Sequence, residues 1–317
     1  MSGKDEGTQV NRWEKTGWFV RAKGSRHLFS TIGAIGGFSA EADIAWRGLA
    51  SADYDLLSSL HREMPGASEE SFRSREKELL HAARDWGLGL TGGNWANDFQ
   101  LLADLQHYGT ATRLIDVTSN PMTALWFACQ GAHHAEHPAS GEDGVLLAIN
   151  TRSWPRFGRS IPPASYTAHD DPYGWELSSA LESEQPFVVE SLTPNDRLRA
   201  QEGYFIAGRI PTNVDRESPF KSLGVLHEST TPSRFYHTLT ERADLRGSGN
   251  GRLPFAAVLV PAELKRRVLV RLQNSYNRRP DVLFPDFSGF LQYGRVAQVR
   301  KKAEGSINSL YFTGYPH

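Results

Sequence analysis

The chain has 317 residues, 39% hydrophobic with eight Trp, enough to bury a core as one large domain or two small ones. Its formal net charge of -1 removes bulk electrostatics as an argument for nucleic-acid or membrane attachment. A single cysteine, Cys129, rules out an internal disulfide, and no stretch approaches the roughly 20 apolar residues of a membrane span. With the polar opening Ser2-Gly3-Lys4-Asp5-Glu6 in place of a leader's apolar core, the expectation is a cytoplasmic protein.

The first element expected is a short strand, Ala42 to Trp46, approached through Gly33, Gly36 and Gly37 and followed by Arg47-Gly48. From Ser68 to Trp86, the residues Phe72, Leu79, Leu80, Ala83 and Trp86 keep a helical period among Glu and Arg, as in an amphipathic surface helix. Gly87 to Gly93 breaks that helix. Asn94 can then cap a second one, which carries Phe99, Leu102 and Leu105 toward His107. Thr112 to Thr118 alternates as a strand between Gly109 and Asn120. Asn120 suits an N-cap and Pro121 the first helical position, where its missing N–H costs nothing. Met122, Leu125, Trp126 and Cys129 follow at helical spacing, so one face should be buried, with Cys129 as a small core residue.

A loop is expected from His133 to Asp143, and Gly144 to Ile149 has the continuous apolar run of a buried strand. The stretch onward to Glu184, rich in Pro, Ser and Asp, reads as an insertion or lid. Strands are expected over Pro186–Glu190, Tyr204–Ile210 and Phe255–Val260, the last after a Gly-rich connector, Arg246–Arg252. Pro261 opens a helix over Ala262–Gln273, Leu283-Phe284-Pro285-Asp286 leads into another, and a strand or loose tail begins at Arg300. Strands and helices interleave without a regular βαβ repeat, so the fold class is α+β, a mixed central sheet flanked by helices. The expected organisation is an N-terminal extension (1–41), a domain over 42–299 with an insertion or lid at 150–185, and a C-terminal tail (300–317).

The densest polar stretch runs from Gln106 to Pro121, where His, Tyr, Thr, Arg, Asp and Ser meet a strand-to-helix junction. The amides that open the helix suit an anion or a ribose. Arg113 and Asp116 either serve a ligand or, as structural devices, pair with each other or cap neighbours. His133, His134 and His137 lack a fourth ligand, so no metal site is expected. Lys265-Arg266-Arg267 reads as a polar helix face, and Arg278-Arg279 beside Tyr276 is a weak nucleic-acid signal.

Taken together, four segments resemble the FRG domain family in residue type and order over 42–291. These are Trp46-Arg47-Gly48; Gln106-His107-Tyr108-Gly109 with Thr112-Arg113-Leu114-Ile115-Asp116-Val117-Thr118; Arg197 with Gln201-Glu202-Gly203-Tyr204-Phe205; and Leu283-Phe284-Pro285-Asp286. Trp46 stands where Phe or Tyr is usual, Ala111 where Pro is frequent and Ile115 where Leu is frequent. The family is widespread in bacteria and phages, and its layout is similar to that of ADP-ribosyltransferases. The resemblance therefore implies an ADP-ribosyltransferase-like core that uses NAD as co-substrate.

In that scheme Arg47 would grip a pyrophosphate or ribose oxygen, and Gly48 would let backbone approach the ligand. Thr118 and Ser119 would hold the nicotinamide ribose, or else cap the helix, and Tyr108 would stack on nicotinamide or fill the core. Gln201 would orient a ribose hydroxyl, with Glu202 pointing to the opposite side if this segment is a strand. A Gln cannot act as a general base, so either the acceptor needs little deprotonation or another group, such as His107 or Asp116, takes its proton. Arg113, Asp116 and Arg197 would support the site. The implied partners are NAD, a nucleic-acid or protein acceptor and an antitoxin, as for a toxin or phage-defence effector, with no membrane. The alternatives are a non-catalytic nucleotide-binding or protein-interaction module, or an NAD glycohydrolase.

Overall fold

The computed structural model describes residues 10–37, 42–131, 141–159, 176–191, 193–212, 218–240 and 253–294. In chain order the elements begin with α1 (Arg12–Lys15), β1 (Phe19–Arg21), α2 (Ser25–Gly37), β2 (Ile44–Leu49), α3 (Ser59–Glu63) and α4 (Glu69–Asp85). A small hairpin of β3 (Leu90–Thr91) and β4 (Asn94–Trp95) precedes α5 (Asp98–His107), β5 (Ile115–Thr118), α6 (Pro121–Ala128) and β6 (Gly144–Asn150). The second half holds β7 (Arg156–Phe157), α7 (Leu177–Ala180), β8 (Phe187–Val189), α8 (Asp196–Ala200) and β9 (Gly203–Ala207). It ends with α9 (Pro232–Thr240), β10 (Phe255–Val260), α10 (Ala262–Tyr276), α11 (Pro280–Leu283) and α12 (Phe287–Tyr293).

Eight strands form one sheet in the order β1-β10-β6-β2-β5-β9-β8-β7. The two outermost pairs, β1 with β10 and β7 with β8, are parallel, and every pair between them is antiparallel. This is the mixed α/β sheet that the interleaved sequence pattern predicts. The continuous apolar runs of β6 and β10 lie at its interior, where both faces are covered, so almost every residue of the two strands is buried. One face packs against α2, α6, α9 and α10 through Trp46, Leu125, Trp126, Phe235, Val268 and Leu272. On the opposite face, Trp13 of α1 joins Phe220 and Phe255 in edge-to-face contacts. Residues 10–37 thus contribute a sheet strand and core side chains rather than lying apart.

Local capping chemistry explains several boundaries. Ser68 accepts from the Ser71 amide at the start of α4, and Asn120 accepts from the Met122 amide ahead of Pro121 in α6. The cap expected at Asn94 falls instead at Asn97, whose side chain accepts from the Gln100 amide at 2.8 Å; Asn94 is used by the hairpin. α6 buries Thr123, Ala124, Leu125, Trp126 and Ala128 rather than one stripe, because it lies between the sheet and α10. Two buried ion pairs hold the helices beyond β5. Arg84 meets Asp98 at 2.5 Å between α4 and α5, and Arg113 meets Glu76 on α4. Of the lid expected at 150–185, the described ends fold into β7 and α7, whose Leu177 and Ala180 are core residues. The three loop histidines, the 246–252 connector and the tail from 300 lie outside the described residues. Among the described residues no helix is long and apolar enough to cross a membrane, and no group of three or more His, Cys, Asp or Glu is placed to hold a metal ion.

Candidate functional site

β2 and β5 are neighbours that share only one Cα pair, Trp46 with Thr118, whereas β2 shares six with β6 and β5 shares four with β9. Past that pair the two strands part. Arg47 reaches across the opening: its Nη1 donates to the Asp116 carbonyl at 2.7 Å and stands 3.6 Å from Asp116 Oδ2. The Arg47 side chain is 29% exposed and that of Asp116 54%, so this is a solvent-facing contact and not a buried structural pair. Arg47 Nε is buried with no hydrogen-bond partner among the described residues, which leaves the guanidinium with donor capacity.

The strand begins at Ile44, two residues later than the sequence suggests, so Arg47 and Gly48 lie within it. Trp46 and Gly48 face α6, and alternation sends Arg47 to the other side. This corrects the role expected for Gly48. A Cβ there would stand 1.9 Å from the Ala124 carbonyl oxygen and 2.5 Å from the Ala128 nitrogen, so the missing side chain admits a helix rather than a ligand.

Around Asp116 the C-terminal end of α5 is tied in. Gln106 Nε2 donates to Asp116 Oδ1 at 3.1 Å, and Gln106 Oε1 accepts from the buried Thr112 hydroxyl. Arg113, expected beside the site or paired with Asp116, turns away from it. Its Nε and Nη2 form a fork on Glu76 at 2.6 and 2.5 Å, and Nη1 reaches the Gly208 carbonyl and Glu69. The geometry makes it a scaffold residue joining α4 to the end of β9.

A second group sits at the same, C-terminal end of α5. His107 Nε2 is 4.0 Å from Asp286 Oδ2, with the Tyr108 ring edge-on to His107 at 5.1 Å between centroids. Tyr108 is 87% exposed, which overturns the core-filling reading. Arg197 Nη2 donates to Asp286 Oδ1 at 3.0 Å and to the Ser288 hydroxyl, while its guanidinium lies 4.9 Å from the Phe284 ring centre. Arg197 Nε is 2.9 Å from Oδ2, in ion-pair range though not aligned as a hydrogen bond. Phe284 and Asp286 of the Leu-Phe-Pro-Asp segment thus receive Arg197, and Asp286 also caps α12 through the Gly289 amide.

Burial alone would raise the Asp286 pKa, but the Arg197 bond, the Gly289 amide and the Ser288 hydroxyl outweigh it and hold the group at about 2. Because the folded value lies below the ordinary carboxylate value of about 3.9, the stabilisation is present above that pH and is lost as pH falls through about 2. Asp286→Asn is therefore expected to flatten the fall in urea resistance between about pH 4 and about pH 2. Equal slopes for the two proteins would refute this account of the Arg197 pair.

The third group closes the junction of β5 and α6 against the turn before β9. The Thr118 hydroxyl donates to the Gln201 carbonyl at 2.7 Å, and the Ser119 amide donates to the Glu202 carbonyl at 3.0 Å. Gln201 and Glu202 lie ahead of the strand, so the condition for their alternation is not met. Gln201 is the C-cap of α8, and Glu202 takes φ 51°, in the left-handed region, before β9 begins at Gly203. Gln201 Nε2 donates to the Leu283 carbonyl at 3.0 Å. Glu202, whose side chain is 45% exposed, accepts from Asn120 Nδ2 at 2.9 Å and from Arg278 at 2.8 Å. Arg278, read from the sequence as a weak nucleic-acid signal, holds this carboxylate.

Two further expectations were open to test. Cys129 is fully buried, and burial pushes its thiol up to about 12, so it is an inert core residue. Lys265 does not lie on a polar helix face; it is buried, donates from Nζ to the Ala50 carbonyl at 2.6 Å, and has its pKa lowered by that burial.

The segments singled out in the sequence therefore converge on the border between β2, β5 and the start of β9. Residues 42–137, which supply β2, α5 and β5, match the FRG domain, so the chain carries a domain of that family. Arg197, the Gln201–Phe205 segment and the Leu283–Asp286 segment lie beyond the matched residues but touch the same border. Comparison with curated proteins and with solved structures found no match.

Proposed function

We propose that the protein is an NAD-dependent ADP-ribosyltransferase, acting as a toxin or phage-defence effector on a nucleic-acid or protein acceptor. The observation that carries the reading is Arg47, a partly exposed guanidinium at the parting of β2 and β5, next to the strand pair that includes Thr118. The partly exposed Arg47 guanidinium, bonded among the described residues through Nη1, suits an anionic ligand. In the transfer, the bond between nicotinamide and ribose breaks, nicotinamide leaves as the neutral base, and an acceptor oxygen or nitrogen bonds to the ribose carbon. The acceptor's proton goes to His107, whose own partner is Asp286. The ribose passes through an oxocarbenium-like state, so positioning contributes more than a nucleophile on the protein.

Incubating the protein with labelled NAD and separate pools of nucleic acid and protein tests the reading. Label transfer is expected, and Arg47→Ala should reduce it by on the order of 100-fold. Folded protein that neither transfers label nor releases nicotinamide would overturn it. One observation favours the second reading, a non-catalytic nucleotide-binding module: the Gln201 side chain is engaged with the Leu283 carbonyl and supplies no carboxylate.

A further inference from the structure

We propose that a cavity beyond the ends of β6 and β9 is a second ligand site, which takes a small aromatic anion: a ring system carrying a carboxylate or sulfonate group. The cavity measures about 1280 Å³, larger than the roughly 300–1,000 Å³ of small-molecule pockets and ample for a fused-ring guest. All of its described lining residues lie outside 42–137, so the site is independent of the β2–β5 border and of the transferase reading.

Cross-links between segments distant in sequence build the lining. Gln185 Nε2 donates to the Ser153 carbonyl at 2.8 Å, the Thr212 hydroxyl to Glu184 at 3.2 Å, and Arg209 Nη1 to the Glu182 carbonyl at 3.5 Å. These bonds tie the described ends of the 150–185 stretch to each other and to the segment that follows β9. Another part of the lining is aromatic: the Phe220 and His227 rings pack against Phe255 at 4.8 and 5.2 Å between centroids. Phe220 and Leu223 belong to the core on this face of the sheet, and the half-buried Trp154 and Val225 pack against it. The apolar part of the lining is thus the margin of that core, already ordered before any guest arrives.

Arg209 sets the charge of the guest. Its single hydrogen bond goes to the Glu182 carbonyl at the long limit of the range, and no carboxylate stands in ion-pair range of it among the described residues. Lys15 and Arg152 share the lining with it, against one described carboxylate, Glu184, which accepts from Thr212. A planar guanidinium offers paired donors to the oxygens of a carboxylate or sulfonate. The Trp154 and Phe220 rings suit a flat apolar body. A neutral guest would leave the guanidinium without a counterion, and a bare inorganic anion would leave the rings uncovered; a ring that carries an anionic group satisfies both.

The probe is anilinonaphthalene sulfonate, titrated into the full chain and followed by its fluorescence. Folded wild type is expected to bind it at a single saturable site and to prefer it to anilinonaphthalene, the same rings without the sulfonate. Arg209→Ala should weaken sulfonate binding by about tenfold and leave the neutral compound unaffected, with Arg209→Lys falling between. Trp154→Ala should weaken both compounds. Because this dye also lights up in loosened folds, each variant is compared at a wild-type melting temperature. No saturable binding by folded wild type, no preference for the sulfonate, or a preference that survives in Arg209→Ala overturns the proposal. So does a dimer in gel filtration that Trp154→Ala converts to monomer, since a second copy would then fill the cavity.

Discussion

Arg113→Ala is expected to lower the free energy of unfolding by about 3–5 kcal/mol. Glu76 is 1% exposed and accepts from both Nε and Nη2 of Arg113, so truncation takes this charged fork away from a buried carboxylate. It also releases the Gly208 carbonyl and weakens the hold on Glu69, which accepts from the Ile210 amide at 2.9 Å and from Arg73. The readout is the urea midpoint at unchanged m-value. A double variant, Arg113→Met with Glu76→Leu, should recover much of the loss, because a buried pair replaced by apolar groups leaves no charge uncompensated. A loss below about 1 kcal/mol in Arg113→Ala would place the residue at the surface and return it to the functional border.

Gly48→Ala is the other large effect expected, on the order of 3 kcal/mol or more. The obstacle is backbone. A methyl group would meet the Ala124 carbonyl oxygen at 1.9 Å, the Ala128 nitrogen at 2.5 Å and Phe127 Cβ at 2.9 Å, so α6 must lift as a unit. α6 carries Leu125 and Trp126 into the core, so lifting it opens the packing beneath β2 and β6. Gly36→Ala is the matched control: its added Cβ meets nothing within 4 Å, and the change should be neutral or stabilise α2 by up to about 1 kcal/mol. If Gly48→Ala melted at the wild-type temperature, the close approach of α6 to β2 would be wrong.

Signals carried within a few residues were legible in the sequence. Ser68 and Asn120-Pro121 announce helix starts through their own side chains, and the apolar runs of β6 and β10 announce burial on both faces. The structure sets Arg47 against Asp116 and Thr118 against Gln201, residues that the sequence singles out by type and order. What failed depended on contacts distant in sequence or on an unusual backbone state. Gly48 beside an arginine reads equally well as room for a ligand or for a helix, and α6 decides it. Gln201 and Glu202 look like strand residues because Tyr204 and Phe205 follow, but Glu202 adopts a left-handed conformation that its residue type does not advertise. Arg113 was read toward Asp116, three residues away, when its partner Glu76 lies on another helix.

The limits of sequence likeness differ from the limits of foldability. The FRG match ends at residue 137, yet β2 is laced by six residue pairs to β6, which starts at Gly144. A fragment cut to the matched residues would bare an unpaired strand border and the apolar surface that β10 and Trp13 cover in the whole chain, a template for association with further copies. Soluble expression of this domain therefore requires boundaries that reach back to α1 and forward past β10.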